Sequence, residues 1–172
     1  MVAGFRRFGT RAGKKGGAAT GPNPTDRGKL GSKHHVIVDR WGLPLAPPML
    51  TASNVTDVVT LLTMVDRIAP VRGRPGRPRR RPAKMHGDLG YASAANRRGL
   101  RARGIAPRIA RKGIESRERL GRYRWVAERE LAWLHRFRRL LIRYERNPDI
   151  HEALLTLASI LILWRAVRRL DK

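Results

Sequence analysis

Asp88 stands in the stretch Gly87-Asp-Leu-Gly-Tyr91, and Glu128 stands in RYRWVAERELAWLHRFRRL, residues 122–140. The chain has only 13 Asp and Glu against 38 Lys and Arg, so each acid can be weighed as a possible ligand. Glycines around Asp88 let a ligand or another backbone approach closely; the plainer reading is a turn aspartate accepting local backbone N–H groups. Glu128 shares a helix face with Arg124, Leu131 and His135, because offsets of three, four and seven return to one side. Its plainer reading is an Arg124–Glu128 surface pair worth about 0.2–0.5 kcal/mol. Together the two carboxylates point to a site for Mg²⁺ or Mn²⁺ in phosphoryl transfer, where hard cations activate an attacking hydroxyl and stabilise a leaving 3′ oxygen. Two acids are fewer than a complete pair of ions normally uses.

Other metal chemistry is narrowed by composition. There is no cysteine, which excludes disulfides, thiolate zinc and cysteine nucleophiles. The adjacent His34 and His35 project to opposite faces of a strand, which argues against a shared metal site.

The net charge of +25 asks for a polyanion, and duplex DNA is the first candidate, attracted through counterion release without any reading of sequence. Lys33, Arg74, Arg77 and Arg79 are the cations placed at DNA alongside the acids. The last three lie in VRGRPGRPRRRP, residues 71–82, whose Arg-Gly-Arg-Pro run looks like an AT-hook, an extended peptide that enters the minor groove of A·T-rich duplex. A non-catalytic basic DNA-binding protein is therefore the rival to an enzyme.

The elements that must position these residues follow from periodicity. Residues 1–32 are rich in Gly, Lys, Arg, Thr and Pro and read as a flexible basic segment. KHHVIVD, 33–39, is a strand; LPLAPPMLTA, 43–52, is a second extended segment whose prolines at 47 and 48 argue for an edge or a bulge, with a turn at 39–42 between them. A helix follows, with Val58, Leu61, Leu62, Val65 and Ile68 on one face and Ser53, Asn54 or Thr56 as its cap. AKMHGD ends a short strand at Asp88, 91–104 is a helix closed by Gly104, and IAPRIA, 105–110, is another strand. Two long helices, about 123–145 and 150–169, finish the chain around Pro148. The apolar run Ala153–Trp164 is too short to span about 30 Å of hydrocarbon and reads as a core helix of a cytoplasmic protein. The fold class is α/β with an antiparallel start.

Residues 20–62, 73–113 and 122–164 together resemble the bacterial insertion-sequence DDE transposases of family five, over about 13–169. The resemblance implies a ribonuclease-H-like domain spanning 33–172 in which Asp, Asp and Glu bind Mg²⁺ or Mn²⁺ and catalyse strand cleavage and transfer. It gives Asp88, in Asp-Leu-Gly-Tyr, the role of the middle acid and Glu128 that of the last. Arg124, His135 and Arg136 match the basic positions of the glutamate helix, while Gly121 replaces a tyrosine often found there. The first acid of relatives lies on the first strand, just upstream of the segment matching 14–24, where MVAGFRRFGTRAG carries none; Asp26 and Asp39 fall at the wrong places. The resemblance thus implies a catalytic domain truncated at its N-terminus, with that strand and the DNA-binding helices absent. It also implies as partners double-stranded DNA at element ends and target, the product of a separate N-terminal frame, and a homo-oligomer on DNA near the nucleoid, with no membrane.

Overall fold

The computed structural model describes residues 2–7, 11–13, 16–73, 75–111 and 132–170. Among them a seven-stranded sheet is built around β4, Leu30–Asp39, which is buried at eight successive positions because both of its faces are covered. Such two-sided burial explains why KHHVIVD has no polar alternation beyond its start.

β1, Val2–Arg7, pairs antiparallel with β4 and parallel with β6, Lys84–Gly87, while β6 pairs parallel with β7, Ala106–Ile109. β2, Arg11–Ala12, continues along β4 beyond β1, and β3, Gly21–Pro22, and β5, Met49–Ala52, pair with β4 as well. The segment expected to be flexible therefore supplies three strands, one of them between β4 and β6. Its order comes from hydrogen bonds on both edges of β1, which leave no mark in its own composition.

One face of the sheet is covered by α1, Leu61–Asp66, and α2, Ala94–Ala102. Ile37 and Met85 meet Leu61, Met64, Val65 and Leu100 there. A 3₁₀ turn, Asp57–Val59, precedes α1, and Thr56 rather than Ser53 or Asn54 caps it by accepting the Val58 N–H. Ser93 caps α2 through Asn96 N–H, and Gly104 at φ +72° ends it, as its sequence requires.

The other face is covered by the C-terminal elements, where Val36 packs with Leu134, Leu140, Leu155, Ala158 and Ile162. The chain turns at His135–Phe137, with Phe137 extended at ψ 103°, before a short α3, Arg138–Leu141. The continuous helix expected to run to 145 is thus broken: Leu134 and Leu140 reach one cluster from either side of the turn. Only one long C-terminal helix, α4, Pro148–Leu170, occurs among the described residues. It extends beyond the apolar run at both ends and is long and apolar enough to cross a membrane by length and composition. Its Leu155, Ala158 and Ile162 are nevertheless buried against the sheet, and its Glu152 accepts the outer-edge N–H of Leu50 in β5.

Candidate active site and its supports

Asp88 follows β6 in extended conformation, φ −72° and ψ 166°, and is half-buried. Its Oδ1 accepts the Leu89 N–H at 2.7 Å, capping the 3₁₀ turn Leu89–Tyr91, while Oδ2 has no partner among the described residues. The turn-aspartate geometry thus uses only one oxygen of this carboxylate.

Three supports hold this turn. Tyr91 is fully buried, with its hydroxyl 3.1 Å from His35 Nδ1. Asn96 Nδ2 donates to the carbonyls of Tyr91 and Val58, both at 2.9 Å, tying the two 3₁₀ turns together. Gly90 packs so closely on Asp57 that a Cβ there would lie 2.8 Å from its Oδ2. Asp57 is buried and pairs with Lys33, whose Nζ lies 3.0 Å from Oδ1 and donates to Val55 O at 2.7 Å. Lys33, expected at DNA, is only 6 % exposed and spends its charge inside the domain. Strand alternation puts it on the same face as His35 and Ile37.

The register of β1 and β6 ends at Phe5↔Gly87, and Arg6 and Asp88 are the next residues of their chains. No residue of Val2–Arg7 is acidic. Among the described residues no group of three His, Asp or Glu is arranged to hold a metal ion. Glu128, Arg124 and Arg74 lie outside the described residues. His135 is half-buried and Arg136 exposed in the turn after Ala132–Leu134. Arg77 and Arg79 are exposed in a loop closed by paired hydrogen bonds between Val71 and Arg79, 2.8 and 3.0 Å.

His34 and His35 do point apart, and the partners of His34 form a network that the sequence did not announce. His34 Nε2 lies 3.0 Å from His151 Nε2, and His151 Nδ1 lies 3.0 Å from Glu145 Oε2. Arg139 Nε donates to Glu145 Oε1 at 2.8 Å. A neutral His151 that carries its proton on Nδ1 satisfies both contacts, donating to the carboxylate and accepting from His34 at Nε2. Burial holds its pKa below the ordinary histidine value, against the pull of Glu145. Burial pushes the Glu145 carboxyl up, but hydrogen bonds from His151, the backbone and Arg139 outweigh it and bring the pKa down to about 2.

Both depressed values have the same sign of linkage. His151 protonates more readily in the unfolded chain, so stability falls as pH drops below about 6.5, and Glu145 adds a second loss from about 4.5 toward 2. Urea midpoints are expected to decline across that range, and Glu145→Gln to flatten the lower part. A midpoint independent of pH between 6.5 and 3 would rule this network out as a determinant of stability.

Arg143 is the other support missed in the sequence, although Arg143-Tyr-Glu-Arg-Asn147 is a compact polar run that could have drawn notice. It is 1 % exposed. Its guanidinium donates to Ala18 O, Ala19 O, Thr20 Oγ1 and Ser32 Oγ at 2.7–3.0 Å, and to the carbonyls of Glu145 and Arg146. The bound loop needs that help, since Ala19 has φ +55° and Gly17, at φ +106°, touches Arg146 where a Cβ would lie 2.4 Å from its carbonyl oxygen.

The family profile described as "Transposase DDE domain" matches residues 5–163. A protein of Burkholderia cepacia named "Putative transposase for insertion sequence element IS402" is 52 % identical over 172 residues, all of this chain and 81 % of that protein. The chain belongs to the insertion-sequence DDE transposases. In this transposase the matched span begins within β1, so the strand beside Asp88 belongs to the family domain. Arg143 and the loop it grips lie within the same span.

Proposed function

We propose that this transposase binds the ends of an insertion element and descends from enzymes that cut and join them in a ribonuclease-H-like domain using Mg²⁺ or Mn²⁺. The observation that carries the reading is Asp88, placed by a sheet in which β1 lies between antiparallel β4 and parallel β6, within a domain of the matching family. Asp88 and Glu128 are the carboxylates assigned to the metal, and Arg124, His135 and Arg136 are assigned to the DNA backbone near them.

The described residues do not by themselves fit a divalent ion. Mg²⁺ takes six oxygens in near-octahedral geometry, usually with one or two carboxylates, whereas the described residues bring no group of three His, Asp or Glu together around Asp88. Binding and cleavage separate, and the charge of +25 supports the first.

The AT-hook rival is less well supported because the Val71–Arg79 pairing closes the loop on itself, whereas minor-groove insertion of that kind uses an extended peptide. Affinity for element-end duplex is expected to fall steeply with salt, log K changing by about 0.9 per phosphate neutralised for each unit of log salt. Filter binding or anisotropy over a salt series measures it. An affinity insensitive to salt would sink the DNA-binding reading.

A further inference from the structure

We propose that the outer face of α4 is the seam by which two copies of the transposase pair, their helices antiparallel about a two-fold axis at mid-helix. The proposal stands apart from the element-end reading above. Ile150, Ala153, Leu157, Ile160, Trp164 and Val167 are all exposed, Trp164 by 60 %. They recur at intervals of three and four residues, which is the a and d spacing of a two-helix seam.

This stripe is not the one that holds α4 to the domain. Among the described residues the helix is buried along His151, Leu155, Ala158, Ser159 and Ile162, and at about 100° per residue the two sets fall on opposite sides. A surface helix ordinarily carries its charges opposite the core stripe. Here no charged residue occurs from Ala153 to Trp164, in a chain of which 30 % is charged. A helix left apolar all round is one that is covered all round.

A second copy is the occupant because the stripe is its own complement. Turned end for end about a point midway between Ala158 and Ser159, it sets Ile150 level with Val167, Leu157 level with Ile160, and the small Ala153 level with the large Trp164. A two-fold interface has this reciprocity, each residue meeting the residue that its own partner position meets. The charges obey the same axis. Asp149 and Glu152 lie toward the N-terminal end of α4, and Arg165, Arg168 and Arg169 toward its C-terminal end. Antiparallel pairing puts Asp149 level with Arg168 and Glu152 level with Arg165, whereas parallel pairing puts like charges side by side. A lipid surface would draw on apolar area alone and gives no reason for the placing of these ends.

Sedimentation equilibrium of the full chain, freed of nucleic acid, reads the pairing, and a mass twice that of the chain is expected in about 0.5 M salt. Pairing should strengthen as salt rises, because the net charge of +25 opposes it, while duplex affinity falls over the same series. Leu157→Gln with Ile160→Gln, at exposed positions and without change of charge, should weaken pairing at least about a hundredfold. Leu30→Gln, a comparably exposed apolar side chain on β4, should leave it unchanged. The chain has no cysteine, so introduced ones report orientation. In a glutathione redox buffer Ile150→Cys is expected to link to Val167→Cys but not to itself, since antiparallel helices hold the two copies of residue 150 about 25 Å apart. A monomer at every concentration, a dimer that survives the double Gln change, or self-linkage of Ile150→Cys as ready as its linkage to Val167→Cys each overturns the proposal. So does a monomer that binds anionic vesicles through Leu157 and Ile160, or one whose own residues 112–131 crosslink to this face. Dimers without any duplex binding sink the element-end reading and keep the seam; salt-sensitive duplex binding by a monomer does the reverse.

Discussion

Arg143→Met is expected to destabilise the domain by about 3–5 kcal/mol, a third or more of the stability of a typical domain. Methionine matches much of the length of arginine, so packing is largely kept and the loss reports the guanidinium. Acceptors on Ala18, Thr20 and Ser32 lose the guanidinium at once, together with the carbonyls of Glu145 and Arg146, and Ala19 O keeps only the Ser32 hydroxyl. A buried acceptor left unmade costs about 1–3 kcal/mol, and water reaching part of the opened loop reduces the sum. The positive φ of Ala19 is then held by one hydrogen bond in place of two, the one that Ser32 Oγ donates to Ala19 O at 2.7 Å. Arg139→Ala supplies the comparison: that side chain is 68 % exposed, and its pair with Glu145 is expected to be worth no more than about 1 kcal/mol. Urea titration of both variants with an unchanged m-value measures the difference. If Arg143→Met costs no more than Arg139→Ala, the clamp is not what orders the N-terminal loop.

The parts of this fold legible in sequence are those whose signal is local. The strands at 33–39, 83–88 and 105–110, the apolar face of α1 and the Gly104 stop of α2 each follow from neighbours a few residues apart. Leu62 and Val58 are only half-buried where the helical face placed them, since the helix is preceded by a 3₁₀ turn. What escaped depends on partners far along the chain. Glycine-rich 16–21 has no order to read until Arg143 is placed beside it, more than 120 residues away. Lys33 looks like a surface cation until Asp57 is known to lie behind the same strand face. His151 reads as one polar residue on an apolar helix, yet it faces His34 across 117 positions. The turn at 135–137 escaped because apolar residues at 134, 137 and 140 fit a straight helix as well as a reversal that buries Leu134 and Leu140 together. Asp88 was legible as a position, strand end and glycine flanks included; its supports in Tyr91, Asn96 and Asp57 were not.

Cleavage provides the sharpest test of the site, because charge and register pull in opposite directions there. The chain as it stands is expected to bind element ends without detectable nicking or joining in Mg²⁺ or Mn²⁺. An in-line displacement needs its ions placed within a few tenths of an ångström, and β1 carries no acid to join Asp88 as a ligand. Neighbouring strands lie about 4.8 Å apart, so an acid one step past the Phe5↔Gly87 pair would stand next to Asp88 across the β1–β6 seam. Arg6→Asp replaces a cationic residue by a carboxylate at that strand position in one change. It is expected to give cleavage above the wild-type background, and Asp88→Ala or Glu128→Ala in that setting to return it to background. Gel analysis of end-labelled element DNA reads all four proteins. Cleavage by Arg6→Asp no greater than by the parent would remove position 6 from the site. Cutting by the unaltered chain that survives both Asp88→Ala and Glu128→Ala would show that the chemistry lies elsewhere in the molecule, since no step could then depend on the carboxylates assigned to it.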